Sequence, residues 1–74
     1  MSADAWPEDA PALTPLQREI LLLVVHGHTN ARIAEQLGMT PGGVAVQVAR
    51  IVERLGLDAR GEITLWALAH GIVP

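Results

Sequence analysis

The sequence predicts an all-α domain of four short helices, and three observations predict it. Apolar residues recur at helical spacing through the chain from Leu13 onward. Thr14, Thr29 and Thr40 each stand directly ahead of such a stripe, where a hydroxyl caps a helix N-terminus. Gly27, Gly38, Gly56 and Gly71 fall where the stripes end. Trp6 and Trp66 are the aromatic residues and cysteine is absent, so the core must be made of Leu, Ile, Val and Ala, with neither disulfide nor thiolate metal site.

The first helix is expected over 15–26. Thr14 is its N-cap, Pro15 occupies the first position where a missing N–H costs nothing, and Gln17 completes a capping box. Leu16, Ile20, Leu23 and Val24 form its stripe, while Leu21, Leu22 and Val25 make it apolar nearly all round, which predicts burial on two sides. The second helix, 30–37, is capped by Thr29 and turns Ile33, Ala34 and Leu37 inward. Gly38 supplies a left-handed residue and lets Met39 point back to the core. The third, 41–55, starts with Thr40-Pro41 and buries Val44, Val48, Ile51, Val52 and Leu55. Gly42, Val46, Ala49, Arg50 and Glu53 face away. The fourth, 61–70, is started by Asp58 or a neighbour. Ile63, Leu65, Trp66, Ala67, Leu68 and Ala69 cover most of its circumference, more than one core can bury.

Charge divides the chain. Residues 1–12 hold Asp4, Glu8 and Asp9 and no cation, so all of the net charge of -3 lies there. Residues 13–74 hold five acids and five arginines and are neutral. The expected organisation is a disordered acidic leader over 1–12 and one folded domain over 13–74. Trp6 lies in that leader; a free tail is the expectation, and the alternative is that Trp6 pins it to the first helix. Seventy-four residues are near the lower limit for a single self-sufficient core, so a dimer is expected. Neither a signal peptide nor a run long enough to span a bilayer is present, the longest apolar run being 20–25, so the expectation is a cytoplasmic protein with no membrane partner.

A short helix, a tight turn through glycine and a longer helix opened by Thr-Pro describe a helix-turn-helix. LTP at 13–15, IL at 20–21, GHTN at 27–30, IAEQLGMTPG at 33–42, Val44 and RLGLDARGE at 54–62 hold one register without a gap. On these residues the chain resembles the LuxR/GerE family of bacterial DNA-binding domains. The resemblance implies four helices, with the third in the major groove and the fourth forming a two-fold homodimer. Most members carry a receiver or ligand-binding module as well; none is visible here, so the resemblance is to the stand-alone members, with no sensor of its own.

The departures from the family concern its cations. Positions 43–45 read Gly43-Val44-Ala45 where members have Thr-Val-Lys, Gln47 stands for a common histidine, and Ala49 replaces a polar or basic residue. The second helix begins Asn30-Ala31-Arg32 in place of Asn-Lys-Glu, and Leu16 and Leu22 occupy polar positions of the first.

The expected double-stranded DNA contact comprises Thr29, Asn30, Arg32, Thr40, Gly43, Ala45, Val46, Gln47, Ala49, Arg50 and Arg54. Ala45, Val46 and Ala49 suit thymine methyl groups, Gln47 suits adenine or a phosphate, and Arg50 suits guanine or a phosphate. Thr29 and Thr40 mark helix starts whose backbone N–H groups can donate to phosphates. Arg32, Arg50 and Arg54 match positions that flank DNA in the family and are preferred over Arg18 and Arg60. Arg50 with Glu53, and Arg54 with Glu53 or Asp58, are candidate internal pairs. A neutral domain displaces few counterions, so weak intrinsic affinity is expected. The dimer face is expected at Thr64, Leu65 and Leu68.

Two other readings compete. In one, a degenerate helix-turn-helix serves as an interaction module that forms a heterodimer with another regulator and binds DNA weakly or not at all. In the other, the chain is a fragment like sigma-factor region 4, which shares the LG-x-(S/T)-x-G pattern; the fourth helix and the Asp58-Ala59-Arg60 turn argue against it. His26, His28 and His70 read as helix-end and loop residues rather than metal ligands. No nucleophile–base order, phosphate loop or carboxylate pair indicates an enzyme, and no cofactor is expected.

Overall fold

The computed structural model describes Trp6, Pro7 and residues 10–72. Its elements are α1 (Pro15–Val25), α2 (Asn30–Leu37), α3 (Pro41–Arg54) and α4 (Glu62–Ala69), with no strand among the described residues. The expected all-α fold and all four helices are present, each within a residue or two of its expected bounds. The leader's Asp4, Glu8 and Asp9 lie outside the described residues.

Each of the first three helices begins on a threonine. Thr14 Oγ1 accepts from the Gln17 N–H at 3.1 Å while the Gln17 side chain accepts from the Thr14 N–H at 3.0 Å, closing the capping box. Thr29 Oγ1 accepts from the Arg32 N–H and Thr40 Oγ1 from the Gly43 N–H. The fourth helix departs from this pattern. It starts at Glu62 behind Gly61 with no side-chain cap, and Asp58 does not cap it. Instead the Asp58 N–H donates to Glu62 Oε1 at 2.7 Å, and the Ala59 and Arg60 carbonyls accept from the Glu62 and Ile63 N–H groups. A tight turn thus takes the place of the expected cap.

All four ends share one device. The N–H one residue beyond each left-handed glycine reaches back to the carbonyl five residues earlier: His28 to Leu23, Met39 to Ala34, Leu57 to Val52 and Ile72 to Ala67. This returns Met39, Leu57 and Ile72 to the core, where they pack as partly or fully buried side chains.

The core gathers Leu13, Ile20, Leu21, Val24, Ile33, Ala34, Val44, Val48, Ile51, Leu55, Ile63, Ala67 and Ile72. The α3 stripe is as expected, with Val52 half-buried at its margin. The α1 stripe is rotated. Leu16 is exposed and Leu21 is fully buried, while Leu23 is only half-buried. A helix apolar all round leaves its own orientation undecided, and α1 turns to face both α3 and α4. Burying each of Ile20, Leu21, Ile33 and Ile51 contributes enough that truncation to Ala costs about 2–5 kcal/mol.

Trp6 is not free. Its ring centroid lies 5.6 Å from that of Trp66, Arg18 sits over it at 5.4 Å, and its Nε1–H donates to the Pro11 carbonyl at 3.1 Å. Trp66 is stacked on its other neighbour, His70, at 4.1 Å, and the His70 Nδ1 bonds the Trp66 carbonyl. Since a carbonyl only accepts, that nitrogen carries the proton.

Candidate nucleic-acid interface

The fold sets α2 against α3 and uses α1 as the support behind α3. Gly38 makes the turn between them, with φ 66° and ψ 34°, a conformation disfavoured for a residue with a Cβ. With Val44, Val48 and Ile51 locked inward, α3 is left with Gly42, Ala45, Val46, Ala49, Arg50 and Glu53 in one exposed stripe. Their spacing of three, one, three, one and three keeps them on a single face over about three turns. Val46, a large apolar side chain, is 50% exposed.

The residues expected to meet phosphates cluster at two helix starts. Thr29, Arg32 and Thr40 are exposed, but both hydroxyls are engaged in capping. Of the first-turn N–H groups, those of Arg32 and Gly43 are taken by those caps and Pro41 has none. Asn30, Ala31 and Gly42 remain to donate outward. Gly43 therefore offers neither a side chain nor a free N–H, and a Cβ there would lie 3.2 Å from Thr40 Oγ1.

Two more expected site residues prove to be held from within. Gln47 is half-buried and its Oε1 accepts from Gln17 Nε2 at 3.2 Å, so the capping-box residue of α1 also ties down the middle of α3. The Asn30 Oδ1 accepts from the Arg60 Nη1–H, and Arg60 Nη2–H donates to the His28 carbonyl at 2.7 Å. Arg60, passed over in the sequence, thus joins the turn before α4 to the start of α2. The local pattern likewise marks Gln17 only as a cap. In each case the partner lies thirty residues away, and no local pattern announces it.

Arg50 and Arg54 line an open groove with Thr14, Gln17 and Glu53, between the start of α1 and the second half of α3. Arg54 does not take the internal acid partner expected for it; its Nε–H donates to the Ala12 carbonyl at 3.1 Å. Arg32 and Arg50 each lie three residues before a carboxylate, Glu35 and Glu53, so the exposed face carries cations diluted by anions. Thr64, Leu65 and Leu68 stand on the outer side of α4. Leu65 is 68% and Leu68 52% exposed, while Ile63 and Ala67 are fully buried behind them.

Among the described residues, no group of three or more His, Cys, Asp or Glu is arranged to hold a metal ion. No helix among them is long and apolar enough to cross a membrane.

A tight glycine turn between α2 and α3, a supported α3 with one open stripe, and a fourth helix define a helix-turn-helix domain. The family model described as sigma-70 region 4 matches residues 11–55, which are α1 to α3 and their caps. The chain is similar to the transcriptional regulatory protein MctR of Rhizobium johnstonii, 38% identical over 66 residues, 89% of this chain and 31% of that one. It is similar also to the nitrate/nitrite response regulator NarL of Escherichia coli, 36% identical over 58 residues, 78% of this chain and 27% of that one. The response regulator VraR of Staphylococcus aureus is 31% identical over 61 residues, 82% of this chain and 29% of that one. A match of 66 residues in a chain of 74 has to run past α3 into α4. The chain belongs to the helix-turn-helix family that includes sigma-70 region 4, and it is a domain of the LuxR/GerE type within it. The likeness to region 4, argued against from the sequence, is therefore real over the first three helices and stops short of the fourth. The chain spans less than a third of the length of these curated relatives.

Proposed function

We propose that this chain is the DNA-reading part of a transcription regulator, with α3 in the major groove and α4 forming a homodimer. The observation that carries this reading is the two-sided build of α3. One stripe is wholly occupied by the core, and the opposite one is open, slender and continuous for the length of the helix. A stripe of Gly42, Ala45, Val46 and Ala49 admits close approach to base edges, and its methyl groups suit the thymine methyl. Arg50 reaches a base or a phosphate from the same face, and Arg32 and Arg54 flank it. The free N–H groups of Asn30, Ala31 and Gly42 add neutral phosphate donors at the two helix starts. Thr29 and Thr40 contribute by shaping those starts.

Affinity in this reading is weak, because the domain from residue 13 onward is neutral and few counterions are displaced. A dimer doubles the contact and reads a two-fold symmetric site. The location proposed for this work is the cytoplasm, and the role is not enzymatic.

The exposed Leu65 and Leu68, together with the low charge, favour one second reading: a helix-turn-helix that pairs through α4 with another regulator and hardly touches DNA. Titrating fluorescent random-sequence duplex with the chain at several salt concentrations separates the two. Binding that weakens as salt rises supports the first reading. No binding at low salt, with the chain dimeric or pairing with a second regulator, supports the other.

A further inference from the structure

We infer that Arg60 is a positioning residue for the α2 end of the DNA contact, acting through Asn30 rather than on DNA itself. The proposal deepens the DNA-reading function above and rests on it. Arg60 lies in the turn that leads into α4, and its guanidinium spans two acceptors of the α1–α2 connection, the His28 carbonyl and the Asn30 side-chain oxygen. All three residues are partly buried, so the bonds are sheltered from competing water.

A guanidinium has donors only, so the Asn30 amide must turn its oxygen to Arg60. Its two N–H donors, and the backbone N–H groups of Asn30 and Ala31, are then the groups left at the start of α2 for a phosphate. Hydrogen bonding to a cation at the oxygen also polarises the amide and strengthens those donors. Arg60 and Asn30 further line one open groove with Thr29 and Thr64. The packing of α2 is against α3, and that of α4 is against α1. The Arg60 bonds form a polar clasp between the start of α2 and the turn before the candidate dimer helix.

The test uses the whole chain and random-sequence duplex as probe, with Arg60→Ala, Asn30→Ala, the double variant and Arg60→Lys. Thermal melts confirm that each is folded at the binding temperature. Each single alanine variant is expected to bind about tenfold more weakly, and the double variant no more weakly than either, because the two residues act as one unit. The salt slope of Arg60→Ala is expected to stay that of the wild type. Arg60→Lys, which reaches one acceptor at a time, is expected to fall between, and it carries the test if Arg60→Ala does not fold. Additive losses, unchanged affinity, full affinity in Arg60→Lys, or a slope lowered by about one unit as for a direct phosphate contact would each overturn the proposal.

A second readout needs no DNA. Backbone amide resonances of residues 28–32 are expected to shift in Arg60→Lys relative to wild type, and their failure to move would remove the clasp. If those resonances move while the wild type binds no duplex, the clasp is present but the DNA-reading function has failed, and a positioning role toward DNA falls with it.

Discussion

The indole of Trp6 lies 5.6 Å, centroid to centroid, from that of Trp66, tilted by 32°. A residue ahead of the first helix is thereby packed on the last. Arg18 of α1 lies over the same ring, its buried Nε without a hydrogen-bond partner among the described residues, and the guanidinium rests on the indole face.

That cluster predicts a stabilising role for the segment before the domain. Trp6→Ala should lower unfolding free energy by about 1–2 kcal/mol, from the lost aromatic pair and the lost cation–π contact. Urea titration followed by Trp66 fluorescence measures it. An unchanged midpoint would mean that Trp6 contributes nothing in solution.

The capping box predicts a second, local effect. Thr14→Ala should destabilise the domain by ~1 kcal/mol. Gln17→Ala should cost more than its half of the box, since it also releases Gln47. Comparing Gln17→Ala alone with Gln17→Ala in a Gln47→Ala background checks this: the loss should be smaller when Gln47 is already absent.

The outer face of α4 predicts the oligomeric state. Leu65 is largely exposed in the single chain, so Leu65→Glu should leave the helical circular dichroism intact. Sedimentation at micromolar concentration should then give monomers where the wild type gives dimers. A Leu65→Glu chain that stays dimeric would move the interface elsewhere, with the exposed Leu16 and Leu22 of α1 next to test.

The open stripe of α3 predicts how DNA affinity responds to charge. Ala45 is exposed, so Ala45→Lys should fold normally, raise affinity for duplex and steepen the salt slope by about one unit. Arg50→Ala should weaken binding, by about 1–3 kcal/mol if the side chain reads a base. Both variants are compared with wild type by titration at several salt concentrations. Unchanged binding in both would show that this face does not meet DNA.

Helix positions and ends could be read from the sequence alone because their causes are local. Thr14, Thr29 and Thr40 bond N–H groups three residues on, and each helix-ending glycine permits a bond five residues back. Such interactions depend on nearest neighbours and on the 3.6-residue period, both of which are written in order along the chain. Where a helix is apolar on one side only, as in α3, its orientation could be read too. On α1 it could not, since Leu16, Leu21 and Leu23 are equally apolar. Which of them is buried was decided by the joint packing against α3 and α4, which put Leu21 inside and Leu16 outside. The same holds for the polar links from Gln17 to Gln47 and from Arg60 to Asn30, and for Trp6 on Trp66. Each joins residues thirty or more apart, brought together only once the helices have docked, and no periodicity encodes which distant partner a side chain will meet.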